Sequence, residues 1–314
     1  YNQRFNNGPS GLATRYNDPD KNSYPTGYPC SGIIAATFNT KLAEVVGIAI
    51  GEDSLWSGQA GLYGLGLNLH RNPYHGRYAE YYSEDAFLTG VISGYQTKGI
   101  QSKGAYVYNK HFVLNDQEVN RTSYETWITE QALRQNHLRP FEIAIQIGNA
   151  KNVMTAFNRL GSVWSGNVYN LCTAYLRGEC GMQGFAVTDW YPSGGMGIAG
   201  GVLAGNDLPD GSDGSLNSFA NKGPGNGYGG LAQAMRLSVH RIMYTVVQSN
   251  AMNFLGSNTR IITYEPEWVG VVGIVRTVSI IAFAVASAFL LTMVVLTIFK
   301  KYDLLSKLGL KKSS

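Results

Sequence analysis

The chain has 314 residues, room for one large domain or two ordinary ones. It carries 25 Lys and Arg against 21 Asp and Glu, and the last fifteen residues, with five Lys and one Asp, hold the whole net charge of +4. The balanced remainder excludes a basic nucleic-acid-binding body, and 44% hydrophobic content at 15% charge excludes global disorder. Cys30, Cys172 and Cys180 make no disulfide framework, and three buried thiols are expected, with one bridge left open. Five histidines without HExxH or Cys/His ligand spacing predict no structural metal.

The chain opens on Tyr1 without a basic-then-apolar leader, which reads as a fragment or a processed product. Asn39 precedes apolar residues at Leu42, Val45, Val46, Ala49 and Ile50, the spacing of an amphipathic helix with an Asn cap. The short apolar run Gly64 to His70 reads as a strand that ends at Arg71, and residues 84–98 read as a helix. A strand over Ala105 to Tyr108 runs into Lys110, His111 and Phe112. A helix over Thr126 to Ile147, kinked at Pro140, leads to a strand over Asn152 to Phe157 and a helix over Val168 to Arg177. Gly184 to Thr188 is a strand ending at Asp189 and Trp190, and Leu231 to Val247 is a helix. The glycine-rich runs Gly194 to Gly201 and Gly223 to Gly230 lack a P-loop Lys-Ser/Thr and read as loops.

The last predicted element differs from all the others. Thr277 to Phe299 is an uncharged run of 23 residues, about 35 Å of helix against a hydrocarbon core of about 30 Å. Lys300, Lys301, Lys307, Lys311 and Lys312 follow it, so the positive-inside rule places the tail in the cytoplasm and the body outside. Arg276 can snorkel at the outer edge. The expected organisation is a domain over 1–255, a linker over 256–268, a transmembrane helix over 269–299 and a basic tail over 300–314. The lipid bilayer is thus one expected partner, and a single-pass location in the cell membrane is expected. Export would need a signal or an earlier membrane helix ahead of Tyr1.

Alternating strands and helices predict an α/β fold with a parallel sheet and crossover helices. About 255 residues suit a (β/α)8-type, TIM-like barrel, with a doubly wound open sheet as the alternative. Arg71, Lys110, His111 and Asp189 each close an apolar strand, and the C-terminal ends of barrel strands open on the face that carries chemistry. Each has a plainer reading alone: an ion-pair partner for Arg71, a satisfied core histidine for His111, a helix cap for Asp189. The four together favour a site.

Several ordered segments resemble glycoside hydrolase family 3, the β-glucosidase family. Asn7-Gly8-Pro9-Ser10-Gly11-Leu12 looks like its DGP-x-GL segment. LNLHRNPYHGRYAEYYSED (67–85) is similar to its R-x-P-x-x-GR-x-x-E-x-x-SED signature, and KHFVLNDQE (110–118) to KHF-x-LN-x-QE. MTAFNRLGSVW (154–164), LRGECGMQGFAVTDW (176–190) and AGNDL (204–208) resemble later segments, and the likeness covers about residues 4–254.

The resemblance implies a barrel domain, incomplete at its N-terminus, and no cofactor. It implies Asp189 as catalytic nucleophile, Arg71, Lys110 and His111 as ligands of sugar hydroxyls, and Met154 and Trp190 as lining of the sugar subsite. Asn7 stands where the family has an Asp, and loses the charge that strengthens a sugar-hydroxyl bond. Retaining glycosidases use two carboxyls about 5–5.5 Å apart, one to attack the anomeric carbon and one to protonate the leaving oxygen. Lys110 and Arg71 are expected to keep Asp189 ionised. The family's acid/base Glu sits on a separate α/β sandwich domain, expected here ahead of Tyr1 as part of the same polypeptide. Glu84 reads as structural, and neither Glu118 nor Glu130 is assigned as the acid. The implied activity is hydrolysis of terminal β-linked sugars, β-D-glucosides first, from oligosaccharide or glycoside substrates. β-Xylosidase activity and a non-catalytic sugar-binding surface protein are the alternatives.

Overall fold

The computed structural model describes residues 5–7, 10–12, 26–191, 196–211, 229–252 and 267–301. They fall in two units, 1–255 and 256–314. The first is built on six parallel strands: β1 (Phe5–Asn7), β2 (Gly61–Tyr63), β3 (Tyr106–Phe112), β5 (Asn152–Thr155), β8 (Ala186–Trp190) and β9 (Leu208–Asp210), in the order β1-β2-β3-β5-β8-β9. This is a half-barrel of six described strands, against the eight expected of a complete barrel. A second small sheet joins β4 (Glu125–Thr126), β6 (Arg159–Leu160) and β7 (Val163–Trp164).

The strands alternate between two cores. Val107, Val153 and Ala186 pack outward with the helices, while Tyr106, Tyr108, Met154, Phe185 and Val187 form an inner cluster. This period of two continues the inward side to Lys110 on β3, Met154 on β5 and Asp189 on β8.

The helix layer comprises α1 (Ser31–Ala36), α2 (Thr40–Trp56), α3 (Ala86–Gln101), α4 (Glu130–Ala132), α5 (Arg139–Gly148), α6 (Ile198–Ala204) and α7 (Gly229–Val247). Asn39 caps α2, its side-chain oxygen accepting from Leu42 N at 3.0 Å, as the sequence predicts. The buried face of α2 follows the predicted apolar stripe only in part, at Ile50 and Val46. Ala43, Gly47, Ile50, Gly51 and Ser54 are buried, whereas Leu42 and Val45 are exposed. The reason is the close approach of α3. A Cβ on Gly47 would run into the Gln96 carbonyl, and one on Gly99 into the Glu44 carbonyl. Small residues therefore take the closest contact, and Leu42 and Val45 turn outward.

Other expectations change in kind. Residues 64–70 form no regular strand; Gly66 makes only isolated bridges to Tyr81 and Lys110. Thr126 belongs to β4, and the helix after it starts at Glu130 and passes through π-helical Leu133–Leu138 before Pro140. Pro140 then sits in the first turn of α5, where a missing N–H costs little. Asn170–Glu179 is also π-helical. The first glycine-rich run enters α6 at Ile198, and most of the second, 223–228, lies outside the described residues. All three cysteines are free thiols, but only Cys172 is buried.

The second unit holds α8 (Glu267–Lys301), a helix of 35 residues. Its stretch Gly270–Lys300 is long and apolar enough to cross a membrane. Residues 253–266 and 302–314, which include most of the expected linker and tail, lie outside the described residues.

Candidate active site

The site is assembled at the C-terminal ends of β3 and β8. Lys110 continues the inward side of β3 after Tyr106 and Tyr108, and its side chain is 7% exposed. Its Nζ lies 3.3 Å from Glu80 Oε2. Arg77 grips the same carboxylate through Nε and Nη2, both at 2.9 Å. Burial works against the charge on Glu80, but Lys110 and Arg77 outweigh it and pull its pKa down to about 2. Burial lowers the Lys110 pKa, an effect that Glu80 partly offsets.

His111 is bound on several sides. Asn68 Nδ2 donates to its carbonyl at 3.0 Å, and Asn68 Oδ1 accepts from its backbone N–H at 2.7 Å. Tyr81 Oη is 3.4 Å from Nδ1, and Asn115 Nδ2 donates to Tyr81 Oη at 3.3 Å. Nε2 lies 3.5 Å from Asp189 Oδ2. Burial, reinforced by the charges of Arg77, Lys110 and Arg121, pushes the His111 pKa well below its ordinary value and holds the ring neutral. The tautomer in which Nδ1 accepts from Tyr81 leaves an Nε2–H toward Asp189.

Asp189 is the fourth residue of β8. Its Oδ1 accepts from Trp190 N at 2.8 Å, and its Oδ2 is buried with no hydrogen bond among the described residues. Burial raises its pKa, opposed by the Trp190 N–H and by Lys110, Arg77 and Arg121. The expectation that neighbouring cations hold Asp189 low is thus corrected: Lys110 does act in that direction, but desolvation prevails. The result is a carboxylate with one buried, unpartnered oxygen and a shed hydration shell, near a neutral imidazole and a lysine.

The four other expected residues sort differently. Met154 is buried in the inner cluster, and Trp190, beside the carboxylate, is half exposed. Asn7 ends β1 and pairs with Tyr63 through the backbone; its side chain lies outside the described residues. Arg71 is not brought to this group. It is largely exposed, pairs with Asp116 at 2.9 Å, and its Nη1 stands 3.2 Å from His137 Nε2. Arg77, six residues later, takes the inward position instead. It also reaches Glu118, 3.5 Å away, which Arg121 holds at 2.8 Å. Sequence reading missed Arg77, Glu80 and Arg121, although Arg77 and Glu80 stand inside the same quoted signature. Glu84 is exposed and Glu130 pairs with Arg134 on the surface.

Comparison with known proteins decides the family. The N-terminal domain of glycosyl hydrolase family 3 matches residues 20–206. The chain belongs to this family. It is 36% identical over 190 residues to a probable beta-glucosidase I of Aspergillus flavus, covering 60% of this chain and 22% of that protein. A beta-glucosidase of Ruminococcus albus is also 36% identical, over 184 residues, covering 59% of this chain and 19% of that one. Among solved structures, beta-glucosidase 3B of Thermotoga neapolitana in complex with glucose superposes with a TM-score of 0.71 at 33% identity, covering 79% of this chain and 36% of that one. The Kluyveromyces marxianus beta-glucosidase, also in complex with glucose, gives 0.70 at 27% identity, covering 81% and 31%. The chain therefore spans about a fifth of these curated relatives and about a third of these solved ones. The family match brackets Arg77, Lys110, His111, Met154 and Asp189, whereas Asn7 and Asp210 fall outside it.

Proposed function

We propose that this chain carries the nucleophile and the main sugar-binding face of a membrane-anchored retaining β-glucosidase. Asp189 attacks the anomeric carbon as the bond to the leaving oxygen breaks and a proton reaches that oxygen. A glycosyl ester on Asp189 results, and water then cleaves it with release of the proton. Lys110, His111 and Arg77 meet the sugar hydroxyls; the charge-assisted donors among them give the stronger bonds. Met154 and Trp190 offer apolar surface to the ring. The observation that carries this reading is the Asp189 carboxylate at the end of β8, buried, with one oxygen unpartnered and facing neutral His111. The relatives named above, β-glucosidases by description and two of them solved with glucose, favour a glucoside over other substrates.

The anchor rests on the length and apolar composition of α8 and on the five lysines after residue 299. In this reading residues 1–255 lie outside the cell, 269–299 span the bilayer, and 300–314 are cytoplasmic. Protease protection of a C-terminal tag in intact cells, with cleavage of the barrel from outside, would establish that orientation; the reverse pattern would refute it.

The decisive experiment on the chemistry is covalent trapping with a 2-deoxy-2-fluoro β-glucoside bearing a dinitrophenolate. That leaving group departs without acid assistance, and the fluorine slows ester hydrolysis. Peptide mass spectrometry should find the adduct on Asp189 and find none in Asp189→Ala. Labelling of another carboxylate, or only by the corresponding xyloside, would overturn the nucleophile or the glucoside respectively.

A further inference from the structure

His111 is neutral and meets the site through Nε2, so the ring nitrogen that carries its single hydrogen decides whether it offers a donor or a lone pair there. Two oxygens stand beside Nδ1, Tyr81 Oη and Asn68 Oδ1, each 3.4 Å away. The amide oxygen can only accept, whereas a hydroxyl can do either. Tyr81 therefore holds the choice, and its hydroxyl is one link in a longer row. Asn115 Nδ2 donates to Tyr81 Oη at 3.3 Å and to Glu118 Oε1 at 3.2 Å. Arg121 holds Glu118 Oε2 at 2.8 Å, and Arg77 Nη1 stands 3.5 Å from Oε1. Tyr81, His111 and Asn115 are buried, so protein groups rather than bulk solvent set the direction of their hydrogen bonds.

We propose, on the reading that His111 meets a sugar hydroxyl, that Glu118 fixes the tautomer of His111 through Asn115 and Tyr81, so that an Nε2–H faces the sugar. The polarity of the row is forced link by link. A carboxylate offers lone pairs only, so Glu118 demands a donor of Asn115. The Asn115 amide answers with its NH2 and leaves its own Oδ1 buried without a hydrogen bond among the described residues. The same NH2 fills a lone pair of Tyr81 Oη. Burial raises the Tyr81 pKa, so the hydroxyl keeps its hydrogen, and His111 Nδ1 is the acceptor beside it. The hydrogen of the neutral imidazole then sits on Nε2. His75 steadies the middle of the row: its Nε2 is 2.7 Å from the Asn115 carbonyl oxygen, and its ring packs edge-on against Tyr81 with centroids 5.2 Å apart.

The reverse polarity would satisfy Asn115 Oδ1, with Tyr81 donating to Asn115 and His111 Nδ1 donating to Tyr81. It would also set that oxygen against the Glu118 carboxylate and present the sugar with a bare lone pair on Nε2. Asp189 Oδ2, 3.5 Å from Nε2, favours the same tautomer as Glu118 does. Once Asp189 is esterified it loses the charge with which it does so, while the Glu118 row is unchanged, so the donor persists through both halves of the reaction. Glu118, Asn115 and Tyr81 act through His111 and are positioning residues. Replacing the Glu118 carboxylate by an amide reverses the demand at the start of the row: Arg121 keeps the amide oxygen, and the amide NH2 turns to Asn115.

The test uses the full chain in detergent with isotope-labelled histidine ring nitrogens, the His111 signals being those lost in His111→Gln. NMR should place the His111 hydrogen on Nε2 in the unmutated chain, a readout that needs no variant to fold. Tyr81→Phe leaves Asn68 Oδ1 as the partner of Nδ1, and Glu118→Gln turns the row around; each should move the hydrogen to Nδ1. Both should lower kcat/KM for dinitrophenyl β-glucoside by about tenfold. Across the monodeoxy glucosides that penalty should vanish for the one lacking the hydroxyl that His111 meets. A hydrogen on Nδ1 in the unmutated chain, or one that stays on Nε2 in either folded variant, would overturn the role of Glu118. An unmutated chain without turnover, or a hydrogen that moves while kcat/KM holds for every glucoside, would instead refute the sugar-binding reading of His111 on which it rests.

Discussion

Two aspartates close neighbouring parts of the same sheet, and their surroundings are opposite. Asp207, just before β9, is fully buried and saturated. Its Oδ2 accepts from Arg177 Nη2 at 2.5 Å and from Ala186 N at 3.0 Å, and its Oδ1 from Ser238 Oγ and Arg241 Nη1, both at 2.8 Å. It ties β8, the π-helical segment and α7 into one body. Among the described residues, Asp189 receives a single hydrogen bond, from its own neighbour's N–H, and leaves an oxygen bare. Both are acids in strand-end motifs, and although Asp207 is fully buried and Asp189 only partly so, residue type does not distinguish them. The count of satisfied lone pairs does: a saturated carboxylate has nothing left with which to attack, and an unsatisfied one has paid desolvation without compensation.

The largest effect should separate them by function. Asp189→Asn is expected to lower turnover by about four orders of magnitude or more while the protein stays folded, measured as kcat beside circular dichroism. Asp207→Ala should do the reverse. It strands Arg177 and Arg241 in a buried site and should cost about 3–5 kcal/mol in denaturant unfolding. If Asp207→Ala unfolds at the unmutated midpoint, its structural assignment is wrong.

A third change probes the backing of the sheet. Gly47→Ala should lower stability by about 1–3 kcal/mol, because the added methyl meets the Gln96 carbonyl across the α2–α3 contact. An unchanged unfolding midpoint would mean that the two helices can part without loss.

The smallest effect is one of sign. Burial raises the Asp189 pKa above its ordinary 3.8, so the charged form is disfavoured in the folded state. The folded protein gains relative stability from this group as it protonates and loses it as pH rises through the folded pKa. Asp189→Asn should accordingly be more stable than the unmutated protein near pH 7. The advantage should shrink as pH falls toward 3.8. An advantage that grows on acidification would contradict the burial account. Glu80 has the opposite sign: its stabilising contribution is present above the unfolded pKa and fades as pH falls toward about 2.

Much of this was legible in the chain because periodicity fixes orientation where elements are regular. The inward lysine of β3, the strand that carries Asp189, the Asn39 cap and the helix over 231–247 all follow from spacing. The segment between β2 and α3 has no such period. Arg71 and Arg77 sit six residues apart in irregular backbone, and nothing in their spacing says which turns inward. Only the Glu80 carboxylate, held between Arg77 and Lys110, settles it. The outward Leu42 and Val45 failed for another reason. A hydrophobic stripe marks the buried face only when burial is achieved by large side chains, and here glycines let the backbones meet.

Asn68 carries one more consequence. Its amide gives the His111 backbone one donor and one acceptor, as a peptide unit of an adjacent strand would. A side chain is thus imitating main chain where residues 64–70 run irregularly past β3. The imitation is stricter than the original, because any residue supplies a peptide group but only one side chain supplies this amide at this reach. Aspartate would lack the donor and set a carboxylate against a carbonyl. Glutamine would add a methylene and displace the histidine it steadies. At this position the code for backbone geometry has moved from the chain's trace into the identity of a single residue.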